Sequence, residues 1–402
     1  MTANLDALAE RTWPPGAAVF RAGAGFTVVV VRDERGFEAF EAEWDELARA
    51  AVEPNVFYEP WYMRAAALAY PAVPALRLAL VFATAPVAAP GQRLLCGVFP
   101  FQVKPASTRF PAPHMALWRH PFSALSTPLV RIGRADDVIR AVFAWLKSDR
   151  SLPRVVVFER MAGDGPVFQG LLDVLRRENK PSFFVEAFTR ALLRPASEID
   201  RYVKVPSVRK VDKEARRQWR RLSERGKPVF EHLGPQDDVD AWIADFLRVE
   251  ASGWKGRAGS ALGSQAARRA YFEAACREAH RRGQLNMMRL RLDDTTIAAK
   301  CTYLSGEGSF SLKIGHDDAY REYGPGVLLE MENIRAMHAQ RRTLWMDSCA
   351  VSDHAMVSRL WPDRRTIVSV AAGTGRAGGD LIVSALPLVR WAARLWRRKK
   401  PA

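Results

Sequence analysis

The chain has 402 residues, of which 48% are hydrophobic and 10% aromatic, a composition that excludes a fibrous or wholly disordered protein. This length exceeds what a single domain commonly needs, so we expect two domains. The net charge is +16. Most of it lies in the second half, where residues 201–402 hold 37 Lys and Arg against 23 Asp and Glu, which indicates an anionic partner.

Cysteine usage and the apolar runs indicate the compartment. The four cysteines have neither C-x-x-C spacing nor accompanying histidines, so neither a disulfide framework nor a metal site is predicted. Residues 1–10 lack a basic leader followed by an apolar run, so we expect no signal peptide. Prolines and an arginine interrupt the apolar stretch 65–90, which is therefore not predicted to span a membrane. These features predict a cytoplasmic protein.

An N-terminal extension is predicted over 1–25, and a first domain over 26–198. Hydrophobic periodicity predicts a mixture of helices and strands around one sheet. Strands are predicted at 27–32, 76–83, 94–103, 154–159 and 183–193, and helices at 36–50, 61–70, 135–147 and 166–179.

A second domain is predicted over 199–372. Helices are predicted at 207–225, 239–253, 265–282, 327–339 and 353–361, and strands at 285–292, 297–304, 309–314, 343–348 and 365–371. Tight turns separate the first three strands, which should therefore be antiparallel neighbours. The fourth strand should run parallel to the third through a right-handed crossover.

An R-x-x-G-x-G loop lies between the third strand and the helix that begins near residue 327. It reads Arg321-Glu322-Tyr323-Gly324-Pro325-Gly326. Glycines allow the backbone to approach a ligand, and the N-terminus of the following helix favours a bound phosphate. A purely structural turn is the alternative, because glycine is common in tight turns.

This order of elements resembles the GNAT superfamily of acyl-CoA N-acyltransferases. Five short sequences resemble its CelD/BcsL-like bacterial branch, which is related to the double-GNAT FemAB and FemX proteins: FYEPWYM, GVFPF, LSERG, LKIGHDDAYREYGPGVLL and WMDSCA. The resemblance extends over about residues 27–373. It implies a mixed α/β fold with two tandem GNAT-like domains, of which the first is degenerate and the second is catalytic.

The resemblance implies that the loop residues Arg321, Gly324 and Gly326 hold the diphosphate of acyl-CoA, a co-substrate, with no bound cofactor. Pro325 belongs to the same cofactor-binding loop but has no amide hydrogen, which leaves fewer donors for phosphate. An acyl carrier protein, whose phosphopantetheine arm carries a single phosphate, is therefore an alternative donor.

Five polar residues beside the loop are candidates for catalysis: His316, Asp317, Asp318, Tyr320 and Tyr323. N-acylation requires a deprotonated amine and a proton for the leaving thiolate. Histidine titrates near neutral pH, which makes His316 the candidate general base. The aspartates could bind the amine or relay its proton, and either tyrosine could protonate the thiolate, as tyrosine does in many GNAT enzymes. Turn, cap and packing roles are the alternative for all five.

Four residues are candidates for substrate binding: Lys313, Asp347, Trp254 and Lys255. Lys313 interrupts an apolar strand, as Lys300 does, which indicates either a cleft or a solvent-facing sheet surface. Asp347 has the same two explanations. Trp254 and Lys255 lie in a Gly-Trp-Lys-Gly sequence, which could be a loop over the acceptor or a plain turn.

Two basic segments indicate further partners. Residues 201–231 hold 11 Lys and Arg against 4 Asp and Glu, a density that suits nucleic acid, acidic glycans or lipid headgroups. No nucleic-acid-binding module accompanies them, so DNA is not predicted, and tRNA enters only for a FemX-type reaction.

The C-terminal segment 373–402 is predicted to be a flexible Gly-rich hinge, 373–379, followed by a basic amphipathic helix. Arg390, Arg394 and Arg397 recur on one side of this helix. The apolar side is formed by Leu386, Val389, Ala393 and Trp396. Such a helix, with Trp391 as a second tryptophan, is suited to the membrane interface, although docking on its own domain would also require an apolar face.

The sequence therefore predicts an N-acyltransferase peripherally bound to the inner face of the cytoplasmic membrane. A long-chain acyl thioester would react directly with an amine such as that of a sphingoid base, since some bacterial GNAT-like proteins form ceramides. Three alternatives are open: a FemX-type transferase that uses aminoacyl-tRNA, an acetyltransferase of exopolysaccharide synthesis, and a non-catalytic scaffold on anionic membranes.

Overall fold

The structure is a computed structural model that describes residues 13–23, 25–70, 76–83, 93–107, 110–259 and 261–398. The chain divides into two compact units. Unit 1 contains Met1–Pro60, Ala72–Phe188 and Thr366–Ala402, and unit 2 contains Trp61–Pro71 and Thr189–Arg365. The predicted signal-free N-terminus, residues 1–10, lies outside the described residues.

Strands alternate with helices in both units, so the predicted mixed α/β class is confirmed. The strands are β1 Ala18–Arg21, β2 Phe26–Val31, β3 Leu76–Ala83, β4 Leu94–Lys104, β5 His114–Leu117, β6 Leu129–Val130, β7 Val155–Ala162, β8 Ser182–Leu193, β9 Pro228–His232, β10 Leu285–Leu292, β11 Thr295–Ser305, β12 Gly308–His316, β13 Trp345–Asp347 and β14 Asp363–Gly373.

The helices begin where local sequence favours a start. They are α1 Glu34–Glu38, α2 Glu41–Ala50, α3 Pro60–Ala69, α4 Ala135–Ser148, α5 Pro166–Arg177, α6 Ile199–Val203, α7 Pro206–Ser223, α8 Val239–Ser252, α9 Trp254–Arg257, α10 Ala266–Arg281, α11 Pro325–Gln340, α12 Val357–Leu360 and α13 Ala377–Arg398. Pro166, Pro206 and Pro325 each occupy a first helical position, where the missing amide hydrogen costs little. Asp238 caps α8 by accepting from the amides of Asp240 and Ala241.

The strands of unit 1 follow the order β1-β2-β3-β4-β5-β7-β14, with β6 beside β4. Strand β5 runs parallel to β7, and the other described pairs are antiparallel. Apolar residues of α4 and α5 pack on the strands in one core, which includes Val142, Trp145 and Leu171 with Val81 and Phe158. Strand β5 was not predicted, because its four residues follow a proline-rich stretch.

The strands of unit 2 follow the order β9-β10-β11-β12-β13, and the end of β8 pairs with β13. As predicted, β10, β11 and β12 are antiparallel neighbours, and β13 runs parallel to β12. Helices α7 and α11 contribute to one apolar cluster with Leu290 and Met346.

The units differ from the predicted domains in three ways. The boundary predicted near residue 198 lies between Phe188 and Thr189, and α3 belongs mostly to unit 2. Most of β14, which was predicted to close the second domain, belongs to unit 1. Trp61 and Tyr62 each pack edge-on against Tyr303, with ring centroids 5.6 and 5.7 Å apart. Tyr62 and Tyr271 also share a buried hydrogen bond between their hydroxyl groups. These aromatic contacts join residues far apart in sequence, which periodicity along the chain cannot reveal.

The C-terminal helix corrects the predicted hinge at 373–379. Gly373 ends strand β14, and α13 begins at Ala377. Between them, the Arg376 guanidinium donates to the backbone carbonyls of Leu152 and Pro153, at 2.6 and 2.7 Å. The segment is therefore fixed to unit 1 by hydrogen bonds, and the hinge prediction is wrong.

The predicted helix itself is present to Arg398, but two of its apolar residues pack against the rest of unit 1. Leu386 and Val383 are buried in a small cluster with Val155, Val157 and other residues of unit 1. Leu381, Leu388 and Trp391 instead leave 72%, 69% and 63% of their surfaces exposed. No helix among the described residues is long and apolar enough to cross a membrane.

A buried ion pair connects α11 to the sheet of unit 2. The Lys300 ammonium donates to the Glu330 carboxylate at 2.7 Å and to the Ser311 hydroxyl at 2.9 Å. The other oxygen of Glu330 accepts from the side chains of Asn333 and Trp361. The sequence predicted that Lys300 lies either in a cleft or on a solvent-facing sheet surface. It is 1% exposed. Because a buried charge is costly without its partner, this network fixes the position of α11.

Lys300→Met is expected to lower the free energy of unfolding by about 3 to 5 kcal/mol, because it leaves the Glu330 carboxylate buried without its counter-charge. The double variant Lys300→Met/Glu330→Gln should recover part of this loss, since Gln keeps an acceptor for Asn333 and Trp361. Denaturant unfolding of both variants measures the difference. Equal stability of the single variant and the parent would contradict a structural role for the pair.

Candidate active site

The R-x-x-G-x-G sequence includes the end of a 3₁₀ helix, Asp318–Tyr323, the turn at Gly324 and the first two residues of α11. Gly324 adopts left-handed backbone angles, with φ 57° and ψ 46°, and its amide donates to the Arg321 carbonyl. Glycine is favoured at this position because a Cβ atom disfavours the left-handed region. The sharp turn starts α11 directly after β12 and its short 3₁₀ helix.

The first turn of α11 provides few free amides. Val327 and Leu328 both donate their amide hydrogens to the Gly324 carbonyl, and Pro325 has none. Of the amides in this first turn, the Gly326 amide is the one that does not donate to the Gly324 carbonyl. Its amide and the positive end of the helix dipole can receive one phosphate oxygen.

Gly326 opens the start of α11 towards His316. Apart from its own helix and chain neighbours, a Cβ atom at Gly326 would have one neighbour within 4 Å, the Nδ1 atom of His316 at 3.5 Å. The missing side chain thus leaves space between the helix terminus and the imidazole. Two of the predicted functional residues, which are ten positions apart, meet here.

Strand β12 separates from β13 before it reaches His316. Their parallel pairs run from Gly308 with Trp345 to Phe310 with Asp347, while β12 continues to His316. The pairing of β12 with β11 shifts between Ser311 and Lys313, so Leu312 forms a bulge. The described parallel pairs end at Phe310, and backbone amides at a place where two strands separate can polarise a carbonyl group.

His316 and Asp318 face each other across the end of β12. The His316 Nε2 and Asp318 Oδ1 atoms are 3.8 Å apart, and the other Asp318 oxygen accepts from Arg257 at 2.8 Å. The hydrogen bond from Arg257 lowers the pKa of the Asp318 carboxyl. An ionised carboxylate at this position stabilises a positive charge on the imidazole. Asp317 instead caps the 3₁₀ helix by accepting from the Ala319 amide.

The two tyrosines have packing contacts. Tyr320 and Tyr323 are partly buried against the apolar cluster of unit 2. The Arg221 guanidinium lies 5.2 Å from the centre of the Tyr323 ring and also pairs with Glu322 at 3.0 Å. Their role as proton donors to the thiolate remains a prediction.

Lys313 is held by an acidic residue that the sequence did not single out. Its ammonium lies 2.6 Å from the Glu250 carboxylate, and the other oxygen of Glu250 accepts from the Leu262 amide at 2.8 Å. Gly315 allows this close approach, because a Cβ atom there would lie 3.0 Å from the Glu250 Cα atom. Glu250 thereby joins β12, α8 and the segment near residue 262, while substrate binding by Lys313 remains a prediction.

Asp347 lies at the end of the parallel pairs and is completely buried. Its carboxylate accepts from Arg190 at 2.7 Å, from Arg365 at 3.1 Å and from the Cys349 amide at 2.9 Å. Burial acts to raise its pKa, but the two guanidinium groups outweigh this effect and the pKa is lowered. These bonds give Asp347 a structural role at the parting of the strands, and its contact with substrate remains a prediction.

The Gly-Trp-Lys-Gly sequence was predicted to be either a loop over the acceptor or a plain turn. The structure instead has a short helix there. Trp254 and Lys255 begin the short helix α9, and the orientation of their side chains lies outside the described part of the chain. A Cβ atom at the preceding Gly253 would lie 3.3 Å from the Asp318 carboxylate. The backbone at the start of α9 therefore approaches the candidate site.

A groove adjoins the first turns of α11. Its volume is about 530 Å³, and Trp219, Leu328 and Met331 form apolar parts of its lining. Its basic residues are Lys213, Arg216, Arg220 and Arg335. The basic segment predicted at 201–231 thus supplies one wall of a groove that suits an anionic ligand with an apolar portion.

Sequence comparison identifies the family of this region. Residues 209–350 match the family described as acetyltransferase (GNAT) domain. This part of the chain is a GNAT domain. The match contains the R-x-x-G-x-G loop, His316 and Glu250, so this region supports N-acyltransferase activity, and acyl-CoA is the co-substrate generally used by this fold.

Solved structures resemble the chain over most of its length. FemX shares 10% identity with a TM-score of 0.51, covering 82% of this chain and 95% of that one. The C-terminal domain of a putative lysylphosphatidylglycerol synthetase from Agrobacterium fabrum shares 11% identity with a TM-score of 0.51, covering 86% and 96%. These likenesses concern the fold and agree with the predicted tandem GNAT-like architecture. No curated protein matches the sequence.

Gly326→Val is expected to reduce the rate of acyl transfer at least about a hundredfold, because its side chain would fill the space between α11 and His316. The fold should persist, since the added Cβ atom meets no atom closer than 3.5 Å. Gly263→Val is the matched control, because a Cβ atom there has open space around it. Initial rates and thermal unfolding of both variants test this prediction, and full activity of folded Gly326→Val would exclude the loop from the mechanism.

Proposed function

We propose that this GNAT domain transfers an acyl group from a thioester directly to an amine, in the space between His316 and the start of α11. The observation that carries the proposal is the opening that Gly326 leaves beside His316, at the end of the strand that separates from β13 after Phe310. A helix terminus and a histidine meet there, at the end of a strand that has separated from its parallel neighbour, and these groups suit the chemical needs of N-acylation.

The donor binds through its phosphate groups at Arg321, Gly324 and Gly326. The single Gly326 amide and the Arg321 guanidinium provide the donors of the loop, and the basic groove beside α11 accommodates further anionic parts. Acyl-CoA satisfies this arrangement. An acyl carrier protein is the alternative source of the thioester, because its arm brings one phosphate and its acidic surface would meet the basic residues of α7.

The reaction proceeds by direct attack. The neutral amine attacks, His316 accepts the one proton that its nitrogen releases, and Asp318 stabilises the resulting imidazolium. The nitrogen forms a bond to the thioester carbon, and backbone amides of β12 stabilise the oxyanion. The intermediate then expels the thiolate, which receives a proton from Tyr320, Tyr323 or the imidazolium. No covalent enzyme intermediate is required.

The acceptor is an amine on a lipid, with a sphingoid base as the leading candidate and a long acyl chain as the transferred group. Support comes from α13, which presents Leu381, Leu388 and Trp391 to solvent while Val383 and Leu386 hold it on unit 1. Exposed Leu and Trp side chains on a basic helix favour the membrane interface. The enzyme would then work at the inner face of the cytoplasmic membrane.

A FemX-type transfer from aminoacyl-tRNA is the second candidate function. It is favoured by the FemX-like fold and by the basic surface of α7, which suits a nucleic acid backbone. It predicts activity that depends on aminoacyl-tRNA and indifference to CoA thioesters. Acetylation of an exopolysaccharide would instead require acetyl-CoA to be preferred over long-chain donors.

His316→Ala is expected to reduce kcat for amide formation by about 10²- to 10⁴-fold, because it removes the general base. The free energy of unfolding should change little, since the imidazole is partly exposed at the end of β12. His354→Ala, at an exposed position of a turn, is the control. If folded His316→Ala retained the parent rate across pH 6 to 9, general-base catalysis by His316 would be excluded.

Replacing Leu381, Leu388 and Trp391 together by Ser is expected to weaken binding to vesicles of phosphatidylglycerol and phosphatidylcholine at least about tenfold, because it removes the apolar contact area. Co-sedimentation measures the binding. Ile132→Ser/Phe184→Ser is the matched control, because these apolar side chains of unit 1 are also exposed. Equal binding by the triple variant and the parent would argue against α13 as the membrane-facing element.

A further inference from the structure

Unit 1 contains a cavity that the acyl-transfer reaction does not use. Its volume is about 450 Å³, and α13, β4, β7 and β8 all contribute to its lining. Four cationic side chains line it, Lys104, Arg119, Arg160 and Arg390, against two carboxylates, Glu159 and Glu186. The cavity therefore has a surplus of positive charge.

Within the cavity, Arg119 and Arg160 have no carboxylate within hydrogen-bond distance among the described residues. Lys104 binds both oxygens of Glu159, at 2.8 and 3.0 Å, and so neutralises that carboxylate. Arg119 lies 3.9 Å from Glu159, and Arg160 lies 3.9 Å from Glu186, both beyond hydrogen-bond distance. The Nε atoms of Arg119 and Arg160 are buried and form no hydrogen bond within the described part of the chain.

Arg160 is held in a strained conformation. Its φ angle is +44°, in the left-handed region that non-glycine residues rarely adopt. Its amide donates to the Ser369 hydroxyl at 3.0 Å, beside the irregularity in the pairing of β7 with β14, and its carbonyl accepts from the Ser126 amide. Strain of this kind costs stability and is concentrated at functional sites.

The two guanidinium groups also affect each other. Burial, and then the positive charge of Arg160, lower the pKa of Arg119. Two like charges brought together repel, and a bound anion would reduce this repulsion and meet the unused hydrogen-bonding capacity of the Nε atoms. Guanidinium groups are well matched to phosphate oxygens.

We propose that the unit 1 cavity is a binding site for a phosphate ester, with Arg119 and Arg160 as its anchors. Ser107 and Ser369 place hydroxyl groups in the lining, and Phe110, Val157 and Val185 form an apolar part that accommodates the organic portion of the ester. The first GNAT-like domain thus has a ligand of its own, although it lacks the R-x-x-G-x-G loop.

Helix α13 completes one wall of this site. The Arg390 guanidinium donates to the Val185 carbonyl at 2.6 Å and lies 5.0 Å from the centre of the Phe183 ring. The same helix exposes Leu388 and Trp391. The phosphate ester can therefore come from a soluble phosphomonoester or from a phospholipid headgroup, which share the recognised group.

Binding is tested on the full-length protein with three probes: inorganic phosphate, glycerol 3-phosphate and phosphatidylcholine vesicles with or without phosphatidylglycerol. Calorimetry measures the soluble probes and co-sedimentation measures the vesicles. The test variant is Arg119→Met/Arg160→Asn, in which Asn tolerates the left-handed angles. The control is Arg176→Met/Arg177→Met, which removes two exposed arginines from α5 of the same unit.

The site predicts saturable binding that weakens at least about tenfold in the test variant and not in the control. Variant-sensitive binding of the soluble probes identifies a phosphomonoester site, and variant-sensitive binding of phosphatidylglycerol vesicles alone identifies a lipid headgroup. Absence of binding by every probe, or equal loss in both double variants, would overturn the proposal. These measurements need no acyl transfer, so their outcome is independent of the proposed function.

Discussion

The geometry of the candidate active site depends on the buried ion pair between Lys300 and Glu330. Lys300 belongs to the central strand β11 and also binds Ser311 on β12, while Glu330 lies one turn and a half into α11. The pair therefore fixes the position of α11 along strands β11 and β12. With α11 in this position, the left-handed turn at Gly324 presents the helix terminus to the end of β12, where His316 lies.

A second buried cluster acts at the other strand. Asp347, Arg190 and Arg365 hold the end of β13 beside β8, just where β13 ceases to pair with β12. One network thus positions the helix and the other positions the strand from which β12 separates. Each network buries charge, which is costly unless every partner is present, so each favours a single arrangement of the elements around the opening.

Local patterns were sufficient to predict the order of β10 to β13 in unit 2, but they missed β9 and placed β14 in the wrong unit. The alternation of β10 to β12, their tight turns and the R-x-x-G-x-G sequence predict the observed strand order, because these signals involve neighbouring residues. Glu250, Arg257 and Glu330 were not singled out, because each acts through a partner elsewhere in the sequence, and an acidic residue on a helix is ordinarily exposed. The bulge at Leu312 likewise depends on pairing with β11. In the C-terminal segment, composition alone suggested a hinge, whereas the bonds of Arg376 to the carbonyls of residues 152 and 153 fix it.

The most direct test of the account is product analysis by mass spectrometry. Purified protein with vesicles is offered acetyl-CoA and palmitoyl-CoA together, with a mixture of amines that includes a sphingoid base. The account predicts a palmitoyl amide of the sphingoid base that forms only with the protein. Formation of no amide from either donor would contradict acyl transfer from CoA thioesters, and acetylated products alone would contradict the long-chain lipid reaction.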